Sequence, residues 1–200
     1  MILEEIMARG RPSKKGHIVE AACGLFTQQG YQSTSIDQVV VTAGVSKPTV
    51  YSNFPTKLVL WETVLTSLTE QAQDEMQKVL MRLQTKKNLS LISGWILLWE
   101  AWVNKVERLA VYRILLGEQH KMLPSTFALF AEFEAVLEST LLVWIAEFSV
   151  SPMNFFALKA VSKEALLMPA LMKQTMMDKT ELESQLDELL RGTINTKQAK

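Results

Sequence analysis

Glycine and helix-capping residues divide the start of the sequence into short helical segments with tight turns between them. These turn and cap residues limit the possible folds more than any other feature of the sequence. Apolar residues at i, i+3, i+4, i+7 and i+8 predict a first helix over about residues 14–29, with Gly30 placed to end it. Thr34 or Ser35 then caps a second helix, and Ser35 with Gln38 three residues later has the spacing of a capping box.

A third helix follows after a very short connection. Gly44 relieves the backbone where the second helix must end and the chain must turn within about three residues. Ser46 caps the third helix, which is expected to run to about Asn53. Two helices joined by a tight, glycine-containing turn predict a helix-turn-helix over about residues 35–53.

The rest of the chain shows helical periodicity and no sustained period-2 alternation. Thr56 is expected to cap a helix that ends near Gln84 and is about 40 Å long at 1.5 Å per residue. Thr180 with Glu183 has the form of another capping box, and Pro169 is expected to mark a helix boundary. Further helices are predicted at about residues 90–106, 107–119, 125–148, 152–168 and 180–191. The sequence therefore predicts an all-α protein.

Composition restricts the class of protein. Hydrophobic residues make up 48% and charged residues 21%, which is ordinary for a folded chain. The single cysteine, Cys23, excludes an internal disulfide, and with two histidines it leaves no metal cluster. The longest apolar stretch, Leu141 to Ala146, is far short of the roughly 18 residues of a membrane-spanning helix. Glu4 and Glu5 stand where a signal peptide carries positive charge, so a cytoplasmic location without membrane contact is expected.

The sequence has no G-x-S-x-G motif, no glycine-rich phosphate loop and no carboxylates at a recurrent spacing. We therefore expect no catalytic residues, no metal and no cofactor.

Charge is distributed unevenly although the formal net charge is zero. Residues 8–57 hold 6 basic and 2 acidic side chains, a balance of +4, whereas residues 58–200 hold 15 and 17, a balance of −2. This asymmetry is expected if only the N-terminal part meets phosphate. Part of the basic charge precedes the first helix or begins it, and forms either a flexible arm that reaches DNA or a solvated tail: Arg9, Arg11, Lys14 and Lys15.

One stretch carries a family resemblance: LFTQQGYQSTSIDQVVVTAGVSKPTVYSNFPTKLVL, Leu25 to Leu60. Its most specific positions are Ala43-Gly44-Val45-Ser46, Thr49, Tyr51, Phe54 and Lys57. With these residues, the segment from Lys14 to Leu58 resembles the DNA-binding domain of the TetR-type (TetR/AcrR) repressor family. The resemblance implies an N-terminal three-helix helix-turn-helix domain, joined by a long helix to an α-helical ligand-binding and dimerisation domain. The expected division is 1–57, with an arm over 1–13, and 58–200.

The third helix supplies the predicted contacts with DNA. Lys47 can donate to guanine O6 or N7, the Pro48 ring can touch a thymine methyl, and Asn53 can read adenine or be merely exposed. The cap at Ser46 leaves free N–H groups for a phosphate. The resemblance implies backbone contacts for Thr34, Thr49, Tyr51 and Lys57. The complete candidate set is Thr34, Ser35, Ser46, Lys47, Pro48, Thr49, Tyr51, Asn53 and Lys57.

Other residues of this segment have a different expected role. Val45, Val50 and Phe54 are expected in the core. Pro48 stands where glycine is common in the family, and this departure leaves the operator sequence open.

The second half of the chain carries an aromatic stripe. Trp95, Trp99 and Trp102 lie at i, i+4 and i+7, so they share one helix face that is either core or the wall of an apolar pocket. The candidate pocket residues for a small, mostly apolar effector are Met76, Trp95, Trp99, Trp102, Tyr112, His120, Phe127 and Phe130. His120, as a lone histidine near a helix end, also has a simple structural interpretation.

A helix-turn-helix of this size needs two half-sites one DNA turn apart, so a homodimer is expected. The resemblance places the interface in helices from about 125–148 to 191, chiefly 152–168 and 180–191. The last of these carries an apolar stripe that packs either in the dimer or inside the monomer: Leu182, Leu186, Leu189 and Leu190. The predicted function is a repressor released from a palindromic, double-stranded operator by its effector. The alternative is a ligand-independent DNA-binding activator or architectural factor whose second half is solid core.

Overall fold

The structure is a computed structural model that describes residues 13–195, with side chains described for residues 13–191. Within these residues the chain forms ten α-helices and no strand. The head consists of α1 (Lys14–Ser33), α2 (Ile36–Ala43) and α3 (Lys47–Asn53). The body consists of α4 (Lys57–Gln84), α5 (Leu91–Val103), α6 (Val106–Glu118), a 3₁₀ turn (Gln119–Lys121), α7 (Pro124–Ile145), α8 (Pro152–Ser162), a π-helical turn (Lys163–Leu167), α9 (Met168–Met172) and α10 (Lys179–Asn195). The predicted all-α class is confirmed.

Local sequence signals explain the head. The Ser35 hydroxyl accepts from the N–H of Gln38 at 3.2 Å, and the Gln38 side chain accepts from the N–H of Ser35 at 2.7 Å, which completes the predicted capping box. Gly44 ends α2 in the left-handed region at φ 62°, where residues with a Cβ are strained. Ser46 then caps α3 by accepting from the N–H of Thr49 at 3.3 Å. Both predicted helix starts in this segment are confirmed.

The first helix differs slightly from its prediction. Gly30 has φ 83° and interrupts the helical geometry, as expected, but one more turn follows it and extends α1 to Ser33. Apolar side chains of the head are buried and belong to the hydrophobic core that continues into the body: Ile18, Ala22, Phe26, Val39, Val50 and Phe54. Val50 and Phe54 are therefore buried as expected, whereas Val45 is only partly buried.

The long helix α4 connects the head to the body. Its cap is the predicted Thr56, whose hydroxyl accepts from the N–H of Val59 at 3.1 Å, and it spans 28 residues. It packs against α1 on the head side and against α5 and α7 on the body side. The predicted domain boundary between residues 57 and 58 falls inside the first turn of this continuous helix and stays a prediction.

The body core is built around tryptophans. Trp95 and Trp102 are fully buried and donate hydrogen bonds to Ser162 Oγ at 2.8 Å and to Tyr112 Oη at 3.2 Å. Trp144 lies directly on the backbone of α5 at Gly94, where an added Cβ would come within 2.0 Å of its ring. This close approach fixes α7 against α5.

Two boundaries in the last third of the chain differ from prediction. Pro169 does not end a helix but lies in the first turn of α9, directly after the π-helical turn. The wider turn accommodates a residue that lacks an N–H and whose ring crowds the preceding turn. The predicted capping box of Thr180 and Glu183 is wrong, because the acceptor is Asp178, whose carboxylate bonds the N–H groups of Thr180 at 2.9 Å and Glu181 at 3.3 Å.

The apolar stripe of α10 packs inside the chain. Leu182 and Leu186 are completely buried, and α10 lies against α8 and α5. Of the two packings left open by the sequence, the structure has the one within the monomer for these two leucines. Among the described helices, none combines the length and the apolar character that crossing a membrane requires.

Candidate nucleic-acid interface and body interior

The exposed face of α3 brings most of the predicted DNA-contacting residues together. Ser46, Lys47 and Pro48 are exposed at its first turn, and Tyr51 is 44% exposed on the next turn although it is aromatic. Thr49 is partly buried, and its hydroxyl lies 2.7 Å from the Ser46 hydroxyl. An exposed aromatic ring beside a lysine and three hydroxyl groups is suited to phosphate and base edges.

Asn53 is exposed, but its amide is already engaged. The Nδ2 group donates to the carbonyl oxygen of Thr49 at 2.8 Å, and the Ser52 hydroxyl donates to the same oxygen at 3.0 Å. The bond from Asn53 uses one of its two Nδ2 hydrogens, so the second hydrogen and the amide oxygen are left for adenine.

Lys47 has an ionic partner within the head. Its ammonium lies 2.7 Å from the carboxylate of Asp37 in the first turn of α2, and both side chains are well exposed, at 51% and 71%. The hydrogen bond from Lys47 to Asp37 raises the pKa of the lysine. Sequence reasoning did not single out Asp37, because a pairing between two helices leaves no signal in local spacing.

Two of the predicted contact residues are turned inward. Thr34 is 1% exposed, and its hydroxyl donates to the carbonyl oxygen of Gly30 at 2.8 Å. The Lys57 ammonium donates to the carbonyl oxygens of Tyr31 at 2.9 Å and Thr34 at 3.0 Å, and lies 4.4 Å from the Tyr31 ring centre. Burial lowers the pKa of Lys57. The phosphate contacts expected of Thr34 and Lys57 find no support in this geometry, which instead gives both residues a part in closing the end of α1. Ser35, the other predicted residue here, is exposed but serves as the cap of α2.

The end of α6 is bonded directly to the last turn of α1, which precedes α2. A Glu118 carboxylate oxygen accepts from the backbone N–H of Gln32 at 3.0 Å, and Lys121 bonds both the Gln32 side chain and, at 3.2 Å, Glu118. We call these three residues the α1–α6 junction. They connect the body to the helix-turn-helix through backbone and side-chain hydrogen bonds. Sequence reasoning missed them, because the partners lie 86 to 89 positions apart.

The predicted effector pocket is not open in this structure. Five of its residues are buried and tightly packed: Met76, Trp95, Trp99, Trp102 and Tyr112. Phe130 is partly buried with its ring centre 5.5 Å from that of Tyr112, while His120 and Phe127 are exposed. Neither of the two described clefts is lined by any of these eight residues. The aromatic stripe is therefore core here, because neighbouring rings fill the space between the helices. For example, Trp102 and Phe133 lie 4.9 Å apart between ring centres.

An open cleft lies elsewhere, between α1, α4 and the start of α6. Its volume is about 980 Å³, and its lining includes Cys23, Glu75 and Arg108. Arg108 is almost fully buried, donates to the Glu75 carboxylate at 2.6 Å and to the carbonyl oxygen of Ala101 at 3.0 Å, and lies over the Trp102 ring. Burial lowers the pKa of this arginine. The arrangement ties α4, α5 and α6 together.

The head is similar in sequence to bacterial regulatory proteins. Residues 18–64 match the model of the tetR family of bacterial regulatory proteins. The chain is 38% identical over 55 residues to the HTH-type transcriptional activator FasR of Mycolicibacterium smegmatis, an alignment that covers 28% of this chain and 25% of that protein. It is 37% identical over 62 residues to the uncharacterized HTH-type transcriptional regulator YhgD of Bacillus subtilis, covering 31% and 32%. The chain thus matches only a quarter to a third of the length of these curated relatives.

Solved structures extend the similarity to nearly the whole fold. A TetR-family protein of Mesorhizobium loti aligns with a TM-score of 0.69 at 21% identity over 94% of this chain and 98% of that chain. A tetR-family transcriptional regulator of Streptomyces coelicolor aligns with a TM-score of 0.66 at 18% identity, over 88% and 78%. These likenesses show a shared helical architecture of head and body. The matched family and these neighbours are regulators of transcription rather than enzymes.

Proposed function

We propose that the chain is a cytoplasmic, sequence-specific repressor of the TetR type, because its residues 18–64 match the model of that family and its fold is shared with a TetR-family structure. As a homodimer it binds a palindromic DNA operator and is released by a small apolar effector. The observation that carries the proposal is the exposed face of α3, where Lys47, Pro48 and Tyr51 lie on a head whose apolar side chains are buried. A recognition helix must present such groups on a rigid support.

In this proposal the contacts divide by type. Lys47 and Pro48 meet base edges, and Asn53 joins them through its amide oxygen and its second Nδ2 hydrogen. Ser46, Thr49 and Tyr51 contact phosphate oxygens, which fixes the position of the helix in the major groove. Thr34, Ser35 and Lys57 act on DNA indirectly, by holding the start of α2 in place.

A homodimer would use the exposed apolar residues of the body. Met153 and Phe156 on α8 are both 69% exposed, and Leu142 and Val143 at the end of α7 are about half exposed. Exposed large apolar side chains that form a contiguous patch are typical of an interface. The buried stripe of α10 is already used within the monomer, so α10 would contribute its outer face. A two-fold axis through α8 and α10 presents two identical heads to two half-sites.

The effector would enter the body by displacing packed aromatic side chains. Support comes from Trp99, which is buried and whose indole N–H has no hydrogen-bond partner among the described residues. An effector with a carbonyl or hydroxyl oxygen could satisfy this donor while its apolar part replaces core contacts. The signal would reach the head through α4 and the α1–α6 junction, and a coupling of about 1–3 kcal/mol is sufficient for such release.

The packed body favours a second candidate, a ligand-independent DNA-binding activator or architectural factor. Its supporting observation is the filled core around Trp95 and Trp102, together with the lining of the two described clefts by other residues. A thermal-shift screen separates the two candidates, because a ligand that binds only the folded state raises its melting temperature. If the chain is a repressor with an effector, at least one compound in the screen should both raise Tm and release DNA.

The DNA-binding part is tested by selecting operators from a random duplex library and measuring affinity at fixed salt. Replacing Lys47 with alanine should weaken binding to the selected duplex about tenfold or more, since a good base contact is worth about 1–3 kcal/mol. Replacing Tyr51 with alanine removes a phosphate contact and should weaken binding to the selected duplex as well. Lys87→Ala, an exposed lysine in the loop after α4, is the control of equal charge. If Lys47→Ala and Tyr51→Ala both bind like the wild type and like this control, α3 is not the recognition helix.

A further inference from the structure

The recognition helix carries a lysine that is already neutralised by a neighbouring carboxylate. The Lys47 ammonium and the Asp37 carboxylate are 2.7 Å apart, and neither is bonded to any other side chain among the described residues. Asp37 is the only acidic residue between positions 21 and 61 of the sequence. An acidic side chain on the face that meets DNA repels phosphate, so the position of Asp37 beside Lys47 is unexpected for a surface that only attracts DNA.

We propose that Asp37 determines specificity by holding Lys47 away from phosphate. Lys47 would then add to binding only where a base pair offers acceptor atoms that replace the carboxylate. The inference rests on the proposed DNA-binding function and adds to it a residue that makes no favourable contact with DNA itself.

Two physical properties of the pair lead to this role. An exposed ion pair is weak, so acceptors such as guanine O6 and N7 in the correct geometry can displace the carboxylate. A lysine without this partner would bind any nearby phosphate, and phosphate contacts carry no sequence information. The carboxylate therefore weakens binding to arbitrary DNA more than binding to the correct site.

A simpler role for Asp37 has to be separated from this one. It lies in the first turn of α2, where a negative charge stabilises the helix dipole. That role predicts a change in stability that alters binding to all DNA sequences equally. The specificity role predicts a change in the ratio of two affinities, and it requires Lys47.

The test uses the full chain as wild type, Asp37→Asn, Lys47→Ala and the double variant. The probes are a duplex that the wild type selects from a random library and a shuffled duplex of the same composition, each titrated over a range of salt concentrations. Asp37→Asn should bind the shuffled duplex about two- to fivefold more tightly and the selected duplex with little change. Its salt dependence on shuffled DNA should steepen by about 0.9 in the log–log slope, the value for one additional phosphate contact.

Two controls accompany this test. In the Lys47→Ala background the Asp37→Asn change should leave the affinity ratio unchanged, and Glu20→Gln, which removes a carboxylate from α1 of the head, should also leave it unchanged. An unaltered ratio in Asp37→Asn, or an equal shift with and without Lys47, overturns the inference. A wild type that selects no sequence overturns the proposed function, and the inference falls with it. Equal weakening on both duplexes with a lower Tm assigns Asp37 to helix stability alone.

Discussion

Aromatic and cationic side chains are exposed on the recognition face of the head but buried in the body. In the head, Tyr51 and Lys47 stand in solvent on a short helix, whereas in the body Trp102 and Arg108 are buried against each other. The head is held by caps and a small core, and the body by large interlocking rings. The comparison teaches that an aromatic or cationic side chain indicates a binding surface only where the surrounding helices leave it exposed to solvent.

A substitution at the tightest packing in the body should cause the largest loss of stability. Gly94→Ala places a methyl group within 2.0 Å of the Trp144 ring, which must then move together with α7. We expect a loss of about 3 kcal/mol in the free energy of unfolding, at the upper end for overpacking. Urea unfolding followed by circular dichroism measures it. Gly24→Ala is the matched control in the head, because an added Cβ there meets nothing within 4 Å, and it should be neutral or slightly stabilising.

The sequence predicted the head more fully than the body, for a physical reason. Ser35, Gly44 and Ser46 act through neighbours within a few residues, so their caps and turns can be read from local spacing. The pairing of Lys47 with Asp37 and the closure around Lys57 depend on how helices meet in space, and no local pattern encodes it.

The tryptophan stripe shows the same limit in the body. Its periodicity correctly placed three indoles on one helix face, but the choice between core and pocket depends on what the other helices bring to that face. Phe133 and Ser162, from α7 and α8, fill it. The fold class and most helix boundaries thus follow from local signals, while the state of a pocket does not.

The two apolar faces at the C-terminal end can be separated by mutation. Leu186→Ala removes a fully buried side chain and should cost about 2 kcal/mol of stability at every protein concentration, at the low end for a buried leucine because α10 is near the chain end. Phe156→Ala removes an exposed ring and should leave the unfolding free energy of the monomer unchanged while it weakens self-association. Analytical ultracentrifugation beside urea unfolding checks both. A weaker dimer from Leu186→Ala alone, with normal stability, would show that the stripe faces a partner.

A buried hydroxyl in the body gives a pH-dependent prediction. Burial raises the pKa of Tyr112 well above its ordinary value, and its oxygen accepts from Trp102 Nε1. The contribution of this group to stability is fully present below the unfolded pKa of about 10. It is lost as the pH rises further, because only the unfolded chain releases the proton.

Replacing the hydroxyl tests this assignment. Tyr112→Phe should cost about 1 kcal/mol at pH 7, since the Trp102 N–H loses its acceptor. The difference from the wild type should shrink above pH 10, because the variant has no proton to release at this position. Tyr51→Phe, on the exposed face of α3, is the control and should show neither effect. A constant difference from pH 7 to 11 would mean that Tyr112 ionises equally in the folded and unfolded chain.

Weakening the contact between head and body should cause the smallest loss of stability among these variants, and a local one. Glu118→Gln keeps an oxygen for the N–H of Gln32 but loses the charge that strengthens this bond and pairs with Lys121. We expect a loss of only about 0.5–1 kcal/mol in global stability, since the pair is partly exposed. Hydrogen exchange at the Gln32 amide should nevertheless accelerate severalfold, because local opening of the turn becomes easier.

Glu132→Gln, at an exposed position on α7, is the control and should leave that amide unchanged. If the α1–α6 junction transmits a signal from the body, Glu118→Gln should also reduce the loss of DNA affinity that an effector causes, while the affinity of the effector-free protein changes less. Faster exchange at Gln32 with undiminished effector response would assign the junction to holding the head, and would leave α4 as the connection through which the body acts on DNA.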